Sequence, residues 1–580
     1  MNKFFNFLLL LALSIMSTAT LNAQGNQDDN FILRITGANG QVLEFSQKEC
    51  EILGTDAWAG SIDAEFCAPL VWAYDITPDS IGCDTMVNNY AGKVVAVSRG
   101  TCEFGRKALW AQFAGAIGVI VFNHNLTATE DACSRINMGA GAVGAQVTIP
   151  MVFGSRTVRD QAAPLISAGG AQVCWLLPRS FQPYAAYSYA TPKTQVDSLY
   201  HIGYRFINRE VDPITDLVMK ADIKGPGGYS YSYTTAAPEL IPGEEVFLQM
   251  SPYLPPAVVG KYTVTLTNNK YSEKRDSLTR TFEITDYTFA TDNLTLQLDG
   301  GADRNDLFIT GDKAFTYQIG GLALTGADGG TATHITFGIG NIDSVYSGNP
   351  SNDVIALLLL DGDSDGDGTI NLLATGGSWD DINADLVGYA NYIMTGTETE
   401  AGLISVAIDD INSSGPVALK PFHPYYVCVL YDGINNGSGR NVALSNTGHE
   451  DYLVFPTNAM YLGQFYNSAW GDRTVVHRLQ LDGFTSTTPE PKKLDASKVN
   501  ITPNPANEYV KVELKLAEVN PSVAVSVLDS KGRMVVGTQV EKNIQNGAMT
   551  LNVNTLPSGV YYLWIRTAEG ATIQKVVVAH

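Results

Sequence analysis

The hydrophobic pattern of the chain changes near residue 185. Before that point, strand-like apolar runs alternate with two segments of helical period, at Val94–Val97, 104–115, Val119–Phe122, Met151–Phe153 and 156–168. This alternation of strand and helix predicts a mixed α/β domain over residues 31–180. After residue 185, apolar and polar residues alternate with the period of two that is typical of half-buried strands.

The β-rich remainder divides into several units. Segments such as EVFLQM and GKYTVTLTNN predict a β-sandwich over 188–287, and runs such as VIALLLL and PYYVCVLYDG predict a jelly-roll-like β domain over 288–485. The polar stretch TSTTPEPKK, with two prolines, predicts a linker over 486–498, and 499–580 predicts a small β-sandwich. The predicted fold class is multidomain and mainly β, with one α/β domain.

The N-terminal end and the charge restrict the compartment and the partners. Lys3, the apolar run Phe7–Leu13 and the small residues ending at Ala23 predict a secretory signal peptide over 1–23. No later stretch offers the roughly 20 uninterrupted apolar residues of a transmembrane helix. A formal net charge of -22 argues against nucleic acid, because binding its phosphates relies on lysine and arginine.

Cysteine usage agrees with secretion. Six of the seven cysteines lie before residue 180, namely Cys50, Cys67, Cys83, Cys102, Cys133 and Cys174. In an oxidising compartment they predict up to three disulfides within one domain, but the spacing alone leaves their pairing open. Cys428 lies in the apolar run YYVCVLY, which predicts a small buried core residue and no nucleophile.

One N-terminal segment carries a specific motif. The strand GKVVAVSRG is followed by Cys102-Glu103-Phe104-Gly105-Arg106-Lys107, then by ALWAQFAGAIGVIVFN, and later by IPMVFGS at 149–155. This segment resembles the protease-associated (PA) domain, a module that is commonly attached to secreted proteases. The resemblance implies an α/β fold, and the block at 126–148 is longer than the family core needs, so it is either a tethered loop or a binding surface.

The helix of this segment suggests how it packs. Small residues at 108, 111, 114 and 115 allow close contact with a sheet, Gly115 suits the C-terminal end of the helix, and Phe104, Leu109 and Phe113 are expected to supply the bulk of the buried face. The basic groups of Arg99, Arg106 and Lys107 suggest either an anion site or a solvated helix start. We expect Cys102 to form a structural disulfide, with Cys83 as its neighbour, and not to act as an activated thiolate.

The C-terminal end carries a second motif. Its elements are Pro503-Asn504-Pro505, Gly532-Arg533, Leu556-Pro557-Ser558-Gly559-Val560-Tyr561 and the final Lys575-Val576-Val577-Val578. They resemble the type A C-terminal sorting domain of the type IX secretion system. This resemblance implies the type IX machinery as a partner, passage through the periplasm to the cell surface or medium, and removal of the domain by cleavage. Residues 188–287 resemble, more loosely, the Ig-like modules of such proteins.

Catalytic motifs are scarce. The chain has no HExxH or GxSxG pattern, and its seven histidines are scattered. The sequence therefore favours a non-catalytic protein whose PA and β-sandwich domains bind proteins or glycans. The alternative is a secreted hydrolase, either a protease or a glycan-active enzyme, for which paired carboxylates are available at Asp380, Asp381, Asp409 and Asp410.

One acidic loop is a candidate cation site. In DGDSDGDGTIN, residues 361–371, the oxygen ligands of Asp363, Asp365, Asp367 and Asn371 alternate around glycines as in the first part of a Ca²⁺ loop. The twelfth position from Asp363 is Ala374, where a bidentate glutamate is expected, although Asp380 or Asp381 could complete the shell. The loop is thus either a Ca²⁺ site or a solvated acidic turn.

Overall fold

The protein is mainly β and forms several sheets, with helices in its N-terminal part. The computed structural model describes residues 31–580 with the exception of 47–49, 56–57, 63, 77–79, 125–131, 134–135, 182–187, 197–201, 251–252, 274–275, 295–316, 340–341, 343–345, 367–376, 379–383, 400–401, 432–444, 447–457, 462–463, 467–473 and 489–491. The predicted signal peptide lies outside the described residues. Among the described helices, none is long and apolar enough to cross a membrane.

The N-terminal domain is built on an eight-stranded sheet with the order β2-β1-β8-β4-β5-β6-β7-β3. Its strands are β1 (Ile32–Thr36), β2 (Val42–Phe45), β3 (Ile52–Leu53), β4 (Phe66–Trp72), β5 (Val94–Ser98), β6 (Gly118–Phe122), β7 (Met151–Gly154) and β8 (Gln172–Leu176). Strands β4 to β7 run parallel, and helices α1 (Phe104–Phe113) and α2 (Arg156–Ser167) pack on opposite faces of the sheet. Both faces of β5 and β6 are therefore buried, which explains their continuous apolar sequences.

The second domain is a β-sandwich around one apolar core. It comprises β9 (Ser180–Phe181), β10 (Ala190–Pro192), β11 (Gly203–Ile207), β12 (Val218–Lys224), β13 (Ser230–Ala236), β14 (Glu245–Gln249), β15 (Gly260–Asn268) and β16 (Leu278–Thr285). One sheet has the order β14-β11-β9, and the other begins β13-β12-β15-β16-β10. In β15 and β12 every second residue is buried, as the alternating sequence predicts.

The third domain continues that second sheet and adds another. Its strands are β17 (Thr288–Ala290), β18 (Tyr317–Leu324), β19 (Gly330–Ile339), β20 (Val354–Asp361), β21 (Gly377–Ser378), β22 (Asp385–Ile393), β23 (Gly402–Ala407), β24 (Asp409–Asp410), β25 (Val417–Leu419), β26 (Pro424–Tyr431), β27 (Ser445–Asn446), β28 (Asn458–Tyr461), β29 (Gln464–Tyr466), β30 (Thr474–Val475) and β31 (His477–Leu481). Strand β10 pairs with both β16 and β17, so one sheet runs through both domains as far as β31, β19 and β23. The facing sheet has the order β21-β29-β28-β18-β26-β20-β22-β24, and the core lies between the two.

The C-terminal domain is a small sandwich of two sheets. Its strands are β32 (Val499–Thr502), β33 (Tyr509–Asn520), β34 (Val523–Leu528), β35 (Met534–Glu541), β36 (Ile544–Asn552), β37 (Gly559–Thr567) and β38 (Gly570–Val578). One sheet has the order β32-β33-β36 and the other β35-β34-β37-β38, with an apolar core between them. Gly532, in the turn between β34 and β35, has a φ of +73°, a conformation that favours glycine.

Candidate functional site

The N-terminal domain is tied together by three disulfides, as the cysteine count predicts. Cys50 pairs with Cys133, Cys67 with Cys174, and Cys83 with Cys102. The sequence separation is 83 positions for Cys50–Cys133 and 107 positions for Cys67–Cys174. The Cys83–Cys102 link spans only 19 positions. The pairing of Cys83 and Cys102 confirms the structural role expected for Cys102.

Helix α1 packs through its small residues. Ala108 and Ala111 are fully buried, and Gly115 follows the helix with a φ of +86° close to the backbone of Ala91, as the sequence predicts. The expectation for Phe113 is wrong, since 65% of this side chain is exposed. Phe113 is the last residue of the helix, and its ring contacts Trp110.

Lys107 is the polar centre of this unit. Its side chain is fully buried, and Nζ donates hydrogen bonds to the carbonyl oxygens of Ile81 at 2.5 Å and Ser98 at 3.3 Å. Burial lowers the pKa of Lys107 to about 8, although the nearby carboxylate of Asp75 opposes this effect. Asp75 is itself buried and accepts a hydrogen bond from the backbone N–H of Cys83 at 2.9 Å.

This arrangement corrects the interpretation of the three basic residues. Lys107 belongs neither to an anion site nor to a solvated helix start, because its ammonium group is used inside the domain. Arg99 donates to Asn123 Oδ1 at 3.1 Å, and Arg106 faces solvent. The structure therefore does not bring the three cations together. Lys107 and the Cys83–Cys102 disulfide instead hold the segment 80–91 against the start of α1.

The loop 73–91 and the end of α1 both carry exposed apolar side chains, which together we call the apolar rim. Tyr90 joins its two halves: its backbone N–H donates to Ala114 O at 2.7 Å, and its hydroxyl accepts from Tyr74 N at 3.1 Å. The rim consists of five side chains that are between 37% and 65% exposed, namely Tyr74, Ile76, Val87, Phe113 and Ile117. Grouped exposed apolar side chains mark interaction surfaces more often than isolated ones do.

Sequence reasoning missed the rim. Tyr74, Ile76 and Val87 lie in a loop without periodicity, so nothing in the local pattern shows whether they face the core or solvent. The one clue in the sequence was that these residues lie near Cys83, because a disulfide at this position would fix the loop that carries them.

The long block at 126–148 is tethered wherever the structure describes it. Cys133 is bonded to Cys50, Met138 O accepts a hydrogen bond from Trp58 Nε1 at 2.6 Å, and the 3₁₀ helix Gly141–Gln146 lies along α1. Gln112 of α1 donates to Gln146 O at 3.0 Å and accepts from Thr148 N at 2.7 Å. These contacts support the interpretation as a tethered loop, and the rim lies on other residues.

The candidate Ca²⁺ loop is described only in part. Asp363 and Asp365 lie at its start, where Gly366 N donates to Asp363 O at 3.2 Å to form a turn, while Asp367, Asn371, Asp380 and Asp381 lie outside the described residues. Within the described parts of the chain, no group of three or more His, Cys, Asp or Glu side chains could hold a metal ion. Ca²⁺ binding therefore stays a prediction.

The first residue of this loop, Asp361, already forms ion pairs inside the domain. Asp361 is buried, its carboxylate pairs with Lys420 Nζ at 2.7 Å, and it contacts His423 Nε2. Burial by itself would raise the pKa of Asp361, but the hydrogen bonds from His423 and Lys420 outweigh it and lower the pKa to about 2. This carboxylate is thus an ionised structural anchor beneath the loop.

The remaining candidate acids lie in a cleft between the third and C-terminal domains, with a volume of about 500 Å³. Asp409 accepts hydrogen bonds from Lys493 Nζ at 2.8 Å and Gly415 N at 3.1 Å. Asp410 accepts from Asn412 N and Ser413 N, as in a tight turn. Both carboxylates therefore have structural partners.

Comparison with known families identifies both ends of the chain. Residues 66–161 match the PA domain, and residues 500–579 match the secretion system C-terminal sorting domain, which confirms both resemblances. The N-terminal domain thus contains a PA domain, and the C-terminal domain is a type IX sorting domain that supports export from the cell.

Individual relatives cover short parts of the chain. A stretch of 75 residues is 41% identical to ER degradation-enhancing alpha-mannosidase-like protein 3 of Xenopus laevis, and 74 residues are 36% identical to an aminopeptidase of Pseudomonas aeruginosa. Each match covers 12% of this chain, and the chain spans 8% and 13% of the two relatives' lengths. Among solved structures, a zinc aminopeptidase from Bacillus subtilis is 18% identical over 26% of this chain and 31% of that chain, with a TM-score of 0.18.

Proposed function

We propose that this chain is a non-catalytic, secreted or cell-surface protein that binds other polypeptides through the apolar rim of its PA domain. The observation that supports the proposal most directly is the rim, since Phe113, Ile76 and Val87 each leave more than half of their side chain exposed. Burial of these side chains by a partner would remove apolar area from water, which is favourable.

The rim is also held in a fixed shape. The Cys83–Cys102 disulfide, the buried Lys107 and its carbonyl partners, and the contact between Tyr90 and the end of α1 fix both halves of the surface. A surface that is ordered before binding loses less conformational entropy on binding. Because the rim offers apolar side chains, the partner that fits is an extended polypeptide with exposed apolar residues, and a sugar chain fits less well.

The experiment measures binding of the full-length mature protein to immobilised overlapping peptides of β-casein, an extended apolar polypeptide. We expect the double variant Ile76→Ser with Phe113→Ser to weaken binding at least tenfold. The matched control is Val211→Ser, because Val211 is 89% exposed in the second domain and lies outside the rim. Equal binding by the double variant and the wild type would refute the role of the rim.

The same preparation tests the hydrolase alternative. Casein is incubated with the protein, and the products are followed by mass spectrometry. We expect no hydrolysis that depends on the protein. Reproducible cleavage that one substitution abolishes, for instance Asp409→Asn, would replace the binding proposal by a hydrolase.

A further inference from the structure

The outer face of the third domain and the C-terminal domain share one apolar cluster. In β20, Ile355, Leu357 and Leu359 face the core of the third domain, whereas the alternate residues face outward. The outward residues of the third domain meet outward residues of the C-terminal sandwich, and the main contributors are Ala356, Leu358, Leu360, Tyr426, Cys428, Leu430, Leu528, Tyr562, Trp564 and Ile573. We call this contact the docking face.

Strands β26 and β37 show the same division. Tyr425, Val427 and Val429 belong to the core of the third domain, whereas Tyr426, Cys428 and Leu430 belong to the docking face. In β37, Leu563 and Ile565 line the core of the C-terminal sandwich, while Tyr562 and Trp564 point out of it into the docking face. Each of these strands is therefore buried on both sides.

Polar contacts fix the orientation of the two domains. Trp564 Nε1 donates to Asn391 Oδ1 at 2.9 Å, and both side chains are buried. A backbone hydrogen bond of 2.7 Å joins Leu386 N to Ser530 O, and the buried hydroxyls of Ser351 and Ser522 lie 2.6 Å apart. Directional bonds at separate points specify one arrangement, which a non-directional apolar contact alone does not.

Gly532 shows how closely the surfaces fit. A Cβ atom at this position would lie 2.7 Å from Leu358 Cδ1 and 3.0 Å from Gln318 Nε2, so these side chains of the third domain would have to shift. The turn favours glycine for its positive φ, and the third domain lies directly against it.

The covalent connection between the two domains contributes little to this contact. It runs through residues 489–491, and its described ends are held separately: Ser486 Oγ donates to Ser405 O, and Leu494 N donates to Ala571 O. All three disulfides lie in the N-terminal domain. A cut between Thr488 and Lys492 would break none of the docking-face contacts that the structure describes.

We propose that the outer face of the third domain is a binding surface for the chain's own sorting domain, which stays bound as a separate polypeptide after the connection is cut. Separation would expose Leu358, Tyr426 and Trp564 together to water, and the hydrophobic effect opposes that exposure. The secreted product is then a non-covalent pair of chains whose apolar sheet face is never uncovered.

The test uses the full chain with a protease recognition sequence inserted between Thr488 and Lys492. After complete cleavage, native size-exclusion chromatography is expected to elute both fragments together. Cys428 supplies a second readout, because it is the one cysteine outside the disulfides and lies in the docking face, 1% exposed. Labelling of its thiol by a maleimide should be at least 100-fold slower in the cut sample than after denaturation. Separate elution with rapid labelling would overturn the proposal.

Variants show whether the docking face is responsible. After cleavage of the Trp564→Ala variant, we expect the fragments to separate and the labelling of Cys428 to accelerate at least tenfold. The control is the cleaved Tyr509→Ala variant, which should behave as wild type because Tyr509 is 52% exposed on the other sheet of the sorting domain. If Trp564→Ala does not fold, Asn391→Ala removes only the hydrogen bond to Trp564 and should accelerate labelling several-fold. If Trp564→Ala folds and its labelling rate is unchanged, the proposed role of the docking face is refuted. If Trp564→Ala does not fold, an unchanged labelling rate in Asn391→Ala refutes it.

Discussion

The N-terminal domain, which contains the PA domain, and the sorting domain differ in what stabilises them. The N-terminal domain has three internal disulfides and keeps the apolar side chains of the rim exposed. The sorting domain, residues 499–580, has no cysteine, and its outward apolar residues are covered by the third domain. Covalent links stabilise a domain without using its surface, whereas docking uses the surface itself. The comparison shows that the N-terminal domain leaves apolar side chains exposed, whereas those on the outer face of the sorting domain are covered.

The largest expected effect comes from removing the disulfide that closes the longest loop. The pair Cys67→Ala with Cys174→Ala opens a link across 107 residues, which costs about 5 kcal/mol by the chain-entropy relation, against about 3 kcal/mol for the 19-residue link of Cys83 and Cys102. Hydrogen exchange read by mass spectrometry should show lost protection in β5 and β6 and unchanged protection in β37. Equal loss in both domains would show that the sorting domain depends on the disulfides.

A smaller effect should follow acidification of the third domain, which carries the docking face. Burial lowers the pKa of His477 to about 3, so the unfolded chain takes up a proton below pH 6.5 that the folded chain does not accept until about pH 3. Stability is therefore lost as the pH falls through this window, by up to about 1.4 kcal/mol per pH unit.

Calorimetry at pH 7, 5 and 4 measures this loss. The unfolding transition of the third domain should shift to lower temperature with the pH, and His477→Gln should reduce the slope of that shift. An identical slope in the variant would assign the acid sensitivity to other groups.

The smallest effect is expected at the edge of the docking face. Lys493 pairs with Asp409, but half of the lysine side chain is exposed, so the ion pair contributes less than about 1 kcal/mol and weakens with salt. In the cut protein, Lys493→Gln should therefore accelerate Cys428 labelling by less than about fivefold, and the difference should disappear in 1 M salt. A tenfold change that persists in salt would mean that charge, and not apolar contact, holds the sorting domain.

Local sequence predicted the position of helix α1 well but the burial of Phe113 at its end wrongly. Helix α1 was expected over 104–115 and is found at Phe104–Phe113, because the buried Ala108 and Ala111 and the positive φ of Gly115 depend on residues close in sequence. The error at Phe113 has a different origin. Helical periodicity shows which residues share a face, but it does not show how far along the helix that face is covered, and Phe113 at the helix end stays 65% exposed.

The same limit applies to the boundaries between units. The alternating sequences of the second and third domains predict separate β-sandwiches, yet β10 joins β16 to β17 and carries one sheet across both domains. The pairing of the six cysteines was also open from their spacing, since it depends on which strands become neighbours. Pairing between strands distant in sequence leaves no local pattern.

By itself, the sequence determined the class of the fold, the two recognisable ends of the chain and the amount of apolar surface that has to be buried. The runs VIALLLL and YYVCVLY required burial on both faces of β20 and β26. Only the tertiary structure decided that the outer face is covered by the sorting domain, while the rim of the PA domain stays exposed. The physical reason is that hydrophobicity depends on the area removed from water and carries no information about which surface removes it.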